Sequence, residues 1–375
     1  MKTVAAVLRA VTDQRPYGTS APMKLEEVEL GAPRAGELLV RIEAAGVCHS
    51  DLSVVDGSRV RPLPMALGHE AAGVVEQVGP GVRDVKPGDH VVLTFVPSCG
   101  ICPECSSGRP ALCTPAAAAN GAGTLLHGPS LLRDAAGQVI HHHVGVSGFA
   151  RHAVVARESA VVVPADVPHP IAALFGCAVL TGTGAALNTA AVRPGQSVAV
   201  FGLGGVGQAA VMGAAAGGAA FVAAVDPVAS KRKLALEVGA THAFAPEEAE
   251  EAIKDLTRGG AEVTIEAAGV PAVMEAAFRA LRRGGTSVSV GLPHPSKTVT
   301  LPALAFAGLG QSLVGSYMGS ASPQRDIPRY LALWKAGKMP VDRLQTATLP
   351  LERINDAFEA LAAGQAVRQI LLPRG

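Results

Sequence analysis

Four of the six cysteines stand in one run, Cys99, Cys102, Cys105 and Cys113, spaced C-x-x-C-x-x-C-x7-C. A four-thiolate Zn²⁺ site needs its sulfurs about 2.3 Å from one ion, and turns closed by two-residue gaps deliver neighbouring sulfurs to that geometry. Gly100, Pro103, Gly108 and Pro110 punctuate the run, which therefore reads as a knuckled loop rather than a helix or a strand. The other candidates lie outside it: Cys48 followed by Ser50 and Asp51, His69 inside Gly68-His69-Glu70, and Cys177. Two thiolates and one imidazole would make a second zinc site whose fourth position stays open, the arrangement of a metal that does chemistry.

These residues must be carried by recognisable elements. From Val28 to Leu93 the chain shows short, partly alternating apolar runs broken by turns, predicting strands near Glu37–Ala45, Ala71–Val78 and His90–Leu93. The stretch Thr114–Val139 has an alanine run, several glycines and no clear period, and reads as a long loop. A second β stretch covers Gly148–Val163. After Cys177 the rhythm changes to strands alternating with helices, from Ser197–Phe201 through Gln311–Ser316, which predicts a doubly wound parallel sheet. Helices at Pro328–Ala336 and Leu351–Ala362 and a strand near Val367–Leu372 close the chain and are expected to return to the first domain. The fold class is α/β.

A second chemical motif opens that alternation. Gly202-Leu203-Gly204-Gly205-Val206-Gly207 is a G-x-G-x-x-G lying directly after a strand and before a helix. Gly202 permits the tight turn, Gly204 lets backbone approach a pyrophosphate, and Gly207 allows close packing of helix on sheet. The helix N-terminus offers partial positive charge to the phosphates. Asp226 ends the next strand, nineteen residues beyond Gly207, where a carboxylate accepts the adenosine ribose hydroxyls and repels a 2′-phosphate, favouring NAD over NADP. Lys231 is a second candidate for the ribose.

Composition narrows the partners. The 375 residues suffice for two domains with proper cores, and a formal net charge of +1 with 17% charged residues points to neither a nucleic acid nor a membrane surface. Pro194–Val225 carries no charge, but eight glycines and turn chemistry divide it into strand, turn, helix and strand rather than a membrane span. The N-terminal residues show no secretory signal, and cysteines at metal spacing imply a reducing compartment; the expected location is cytoplasmic.

The motifs Cys48-His49-Ser50-Asp51, Gly68-His69-Glu70, the four-cysteine lobe, Cys177 and Gly202 to Gly207 occur in this order and at these separations. Together they resemble the zinc-dependent alcohol dehydrogenases of the medium-chain dehydrogenase/reductase family, over essentially the whole chain. Alcohol dehydrogenase is itself the type example of a Cys₂His zinc site. The resemblance implies a GroES-like β catalytic domain with a structural zinc lobe at 1–178, a Rossmann NAD-binding domain at 179–317 and a return to the catalytic domain at 318–375. It also implies two zinc ions per subunit, the catalytic one on Cys48, His69 and Cys177. NAD and an alcohol or aldehyde are the expected small-molecule partners, in a homodimer or homotetramer.

Further roles follow from the same resemblance. Ser50 passes the alcohol's proton, Asp51 orients His69, and Glu70 is a buried carboxylate near the metal. His49 and Arg368 serve the coenzyme pyrophosphate, Thr181 and Val206 flank the nicotinamide, and Phe95, Arg59 and His143 line the substrate channel. The run His141-His142-His143 is not expected to bind a metal, because a strand points alternate residues to opposite faces. Two departures stand out. Ser53 replaces the histidine that completes the proton path in several relatives. The arginine that glutathione-dependent formaldehyde dehydrogenases carry after the fourth lobe cysteine is absent, which weakens a thiol-adduct substrate. Polyol dehydrogenases are disfavoured because many carry glutamate as third ligand where this chain has Cys177. A non-catalytic zinc-lobe interaction protein leaves the dinucleotide motif without a purpose, and only Arg109 is basic within the lobe.

Overall fold

The computed structural model describes residues 1–374, and the chain divides into two compact units, Met1–Cys177 with Gln345–Gly375, and Ala178–Leu344. The first unit combines a closed five-stranded barrel with a seven-stranded sheet. Around the barrel run Lys2–Leu8, Met23–Leu30, Leu132–Arg133, Val139–His142 and Met65–Ala66. Strand Glu37–Val47 is the spine of the larger sheet, pairing antiparallel with Glu70–Val78, His152–Ala156 and Arg368–Leu372. Its residues alternate between two cores. Leu38, Val40 and Ile42 join Phe149, Phe358 and Leu371, while Leu39 joins Val7, Leu30, Ile140 and Val154 inside the barrel. A strand buried on both faces at once knits barrel and sheet together.

The second unit is an all-parallel six-stranded sheet in the order His242–Phe244, Phe221–Val225, Ser197–Phe201, Ala261–Glu266, Leu281–Ser289 and Ser312–Gly315. This is the Rossmann arrangement, with the strand order reversing direction beside Ser197–Phe201. Small residues let its helices approach closely: a Cβ on Gly213 of helix Gly205–Ala216 would sit 2.9 Å from the Cα of Thr183. Among the described residues no helix is long and apolar enough to cross a membrane.

Four expectations need correction. The stretch Thr114–Val139 is not one loop: it holds helix Thr114–Ala122 and strand Leu132–Arg133, and strand Val139–His142 starts at its end. The alanine run has high helix propensity, proline sits in the first turn, and Gly123 at φ 68° ends the helix in the left-handed conformation. The cysteine lobe contains the short helix Pro103–Ser106 and a 3₁₀ turn at Pro110–Leu112. Strands Lys2–Leu8 and Met23–Leu30 precede the β region expected from Val28. The return to the first unit comes at Gln345 rather than 318. Helix Pro323–Lys335 belongs to the Rossmann unit, where Asn188 donates to Asp326 at 3.2 Å and to the Tyr330 hydroxyl at 3.2 Å.

Candidate active site

The first unit gathers Cys48, His69 and Cys177 so that their ligand atoms lie within 4.8 Å of one another, all three residues buried. Backbone shape delivers each one. Cys48 follows the end of strand Glu37–Val47 and caps helix His49–Val55. His69 follows Gly68, whose φ of 94° and close approach to Phe149, with a Cβ position 2.5 Å from the Phe149 nitrogen, admit no side chain. Cys177 follows Gly176, where a Cβ would fall 2.4 Å from the Leu93 carbonyl oxygen, so the segment can press against strand His90–Leu93.

Asp51 organises the centre with both oxygens. Oδ2 accepts the Cys48 backbone N–H at 3.3 Å, closing the helix N-terminus, and Oδ1 accepts from His69 Nδ1 at 2.9 Å. With Nδ1 engaged, His69 presents Nε2, which lies 3.3 Å from the Cys177 sulfur. The ring is also packed edge-on by Phe95 at 5.6 Å and His143 at 5.9 Å between centroids. The two thiols are coupled: hydrogen bonding from Cys177 holds Cys48 well below the ordinary thiol range, and the same contact, with burial, pushes Cys177 up. They share a proton that a dication would replace. Burial opposes protonation of His69, yet the adjoining Asp51 carboxylate raises it well above the usual imidazole value. Burial likewise pushes Asp51 up against the pull of His69. The donor set of two sulfurs and one oriented imidazole nitrogen fits zinc.

The second cluster brings the sulfurs of Cys99, Cys102, Cys105 and Cys113 within 4.8 Å of one another. No disulfide consumes them, and Cys102 and Cys113 stand 3.9 Å apart. Bonds of about 2.3 Å at tetrahedral angles place sulfurs about 3.8 Å apart, so this closed four-thiolate shell also fits zinc.

The coenzyme motif lies in the second unit. Gly202 adopts φ 87°, and a Cβ on Gly207 would sit 1.8 Å from the Gly202 oxygen, so the turn and the following helix are locked together by the absence of side chains. Gly204 is different: nothing lies within 4 Å of its Cβ position, leaving open space where a dinucleotide's backbone would approach. Gly205 begins helix Gly205–Ala216 and Val206 is half-buried in its first turn. Asp226 accepts from the Leu203 N–H and the Val228 N–H, both at 2.8 Å, which fixes the carboxylate beside the turn. The Thr181 hydroxyl is buried without a hydrogen-bond partner, a group a ligand would satisfy. These features fit NAD.

The remaining expected residues are dispersed. Ser50 is half-buried and His49 exposed in the first turn of their helix, while the Ser53 hydroxyl is tied back to the His49 carbonyl at 2.9 Å. Glu70 is buried, with Arg368 Nη2 3.5 Å from its Oε2. Arg368 is itself only 3% exposed and donates to the Val47 carbonyl at 3.1 Å. Burial works against its charge, but Cys48, Glu70 and Cys177 hold the guanidinium protonated. It therefore sits beside the metal ligands of the first unit. Arg59 lies in the loop after helix His49–Val55, its backbone N–H on the Ser53 carbonyl and its Nε buried without a hydrogen-bond partner. Lys231 is half-buried, and its carbonyl accepts from Gln208. Sequence reasoning missed Glu266, whose Oε1 accepts the N–H groups of Ala268 and Gly269 at 2.7 and 2.6 Å and so shapes a loop beside Gly202. An acidic residue ending a strand two positions before Ala268-Gly269 was the available signal.

Comparison with known proteins agrees with this geometry. Residues 34–166 match the alcohol dehydrogenase GroES-like domain and residues 205–336 the zinc-binding dehydrogenase domain. The chain is 41% identical to the NDMA-dependent alcohol dehydrogenase of Amycolatopsis methanolica, over 99% of both chains. The chain belongs to the zinc-dependent alcohol dehydrogenases of the medium-chain dehydrogenase/reductase family. The dehydrogenase is also 41% identical to the geraniol dehydrogenase of Castellaniella defragrans, covering 98% of this chain and 97% of that one. Among solved structures it superposes on the benzyl alcohol dehydrogenase of Acinetobacter calcoaceticus with a TM-score of 0.92 at 32% identity, over 99% of both chains. It is an enzyme that moves hydride between alcohols or aldehydes and NAD, with zinc as its metal.

Proposed function

We propose that this dehydrogenase oxidises primary alcohols, aliphatic or aromatic, with the highest efficiency on those bearing an allylic or benzylic carbinol, and reduces the matching aldehydes. The observation that carries the reading is the convergence of Cys48, His69 and Cys177 beside the Phe95 ring. A relative at 41% identity is a geraniol dehydrogenase and a structural neighbour a benzyl alcohol dehydrogenase, and an unsaturated carbinol yields a conjugated, more stable aldehyde.

Zinc held by these three side chains supplies Lewis acidity, which makes an alcohol's proton easier to lose and an aldehyde carbon more electrophilic. The protein does the rest. Asp51 fixes the His69 tautomer, Phe95 gives the centre an apolar wall, and Arg368 offsets the negative charge of two thiolates and Glu70. Ser50, at the start of its helix with no backbone tie like that of Ser53, exchanges the proton with the substrate hydroxyl. Gly202, Gly204, Gly205 and Gly207 cradle the pyrophosphate of NAD, for which His49 and Arg368 are the assigned side chains, and Val206 flanks the nicotinamide. Asp226 and Lys231 hold the adenosine ribose, and Thr181 contacts the nicotinamide. Arg59 and His143 complete the assignment as channel residues. The zinc of Cys99, Cys102, Cys105 and Cys113 is structural, because its shell leaves no position for substrate. Six unpaired cysteines support a cytoplasmic location, and the assembly is a homodimer or homotetramer.

Steady-state kinetics of the purified enzyme with NAD test the substrate class. Geraniol and benzyl alcohol should exceed ethanol in kcat/KM by about tenfold or more, the range that an apolar pocket can discriminate. Equal or better turnover of ethanol would sink the class, and formaldehyde oxidation that requires an added thiol would favour the thiol-adduct alternative.

A further inference from the structure

His143, proposed above as a channel residue, is 2% exposed and packs its ring against His69 of the metal centre. Its Nδ1 lies 3.4 Å from Asp51 Oδ1, the same oxygen that accepts from His69 Nδ1 at 2.9 Å. That Nδ1 is buried and has no hydrogen-bond partner, although buried ring nitrogens are ordinarily satisfied. A few tenths of an ångström of ring movement would close the gap into a hydrogen bond. Its edge-to-face contact with the His69 ring, at 5.9 Å and 81°, leaves the two imidazoles bracing each other.

The backbone is built to hold His143 there. It sits at the head of a tight turn in which its carbonyl accepts the N–H groups of Val146 and Ser147. Its own N–H donates to Ser147 Oγ at 2.8 Å, and that hydroxyl donates to the Ala66 carbonyl at 2.9 Å. Within the turn Val144 has φ 37° and Ser147 φ 49°. A β-branched residue in the left-handed region is a true outlier, and such strain persists where the surroundings over-determine it, often at functional sites.

We propose that His143 is a positioning residue of the metal centre: donating from Nδ1 to Asp51, it holds the carboxylate on His69 and so sets how tightly the three-ligand site binds its metal. The inference rests on the assignment of His69 as a ligand. It adds to the channel role proposed above, because here His143 acts through Asp51 rather than through the substrate. Outer-shell partners of this kind change metal affinity by about 10–100-fold when removed.

Two polar variants of similar size separate the idea from mere packing. In His143→Asn the amide nitrogen takes the place of Nδ1; in His143→Gln it takes the place of Nε2. Zinc affinity of the three-ligand site is measured by chelator competition, and the visible spectrum is recorded after cobalt replaces zinc. H143N should stay within about threefold of the native affinity with an unshifted cobalt spectrum, whereas H143Q and His143→Phe should lose about tenfold or more. In a double-mutant cycle with Asp51→Asn, H143Q should add little to the loss caused by D51N alone. Equal affinities for H143N and H143Q, or full additivity with D51N, overturn the proposal. A His69→Ala chain that still binds two zinc ions with native affinity would overturn the ligand assignment instead, which keeps the two failures apart. Should H143F not fold, the Asn and Gln pair decides alone.

Discussion

Ser50 and Ser53 are three positions apart on one short helix, yet only one hydroxyl is committed. Ser53 donates to the His49 carbonyl, so its removal costs a local backbone contact and no proton path. Ser53→Ala should therefore keep kcat within about threefold, while Ser50→Ala should lower it by about 10² or more, the usual weight of a general acid–base group; pH profiles of hydride transfer provide the measurement, and equal losses would contradict the relay. His142 makes a second residue-scale prediction. Burial drives its imidazole down to about 4, while in the unfolded chain it titrates near 6.5. Between those values the unfolded state binds the extra proton, so this contribution to stability is complete above about pH 6.5 and is lost as pH falls toward 4. The native enzyme should lose about 2 kcal/mol more than His142→Leu between pH 7 and pH 5, read from denaturant midpoints. Neither His142's burial nor Arg368's insertion beside Cys48 was legible in the sequence, because both depend on strand pairs formed with residues far away in the chain.

At the scale of elements, the glycines of the coenzyme turn divide into two kinds. Gly207 is required by packing, since its Cβ would collide with the Gly202 carbonyl; Gly207→Ala should destabilise the fold by about 1–3 kcal/mol. Gly204 faces open space, so Gly204→Ala should melt like the native chain but bind NADH about tenfold or more weakly, because the new methyl occupies the pyrophosphate's approach. Fluorescence titration and thermal denaturation on the same samples separate the two effects; unchanged NADH affinity in G204A would refute the assignment. The strand–turn–helix context of this motif was readable because period and turn chemistry are local. Helix Thr114–Ala122 escaped because its alanine run has no amphipathic period, although Pro115 and Gly123 marked both ends. Strand Met23–Leu30 escaped for a similar reason: only Met23, Val28 and Leu30 are buried, so its polar face dominates the local pattern.

For the whole molecule, the two metal sites should fail differently. The three-ligand site sits in a folded core, with each ligand buried, so its scaffold should persist when the metal is removed. The lobe has little core of its own: Ile101 is 86% exposed and three of its four cysteines are only half-buried. Metal binding there is coupled to local folding. Elemental analysis should find two zinc ions per chain. Strong chelation should then open the lobe to trypsin at Arg109 while the barrel strands stay protected; a lobe that resists cleavage after losing its metal would contradict this account. The sequence by itself determined the ligand types, the glycine fingerprint, the alternation that makes a Rossmann sheet, and hence the family, because side-chain chemistry and short-range periodicity are local properties. Only the tertiary structure decided that the chain returns at Gln345, that Arg368 stands among thiolates, and that His143 meets Asp51, because these are matters of which distant segments pair and what their pairing buries.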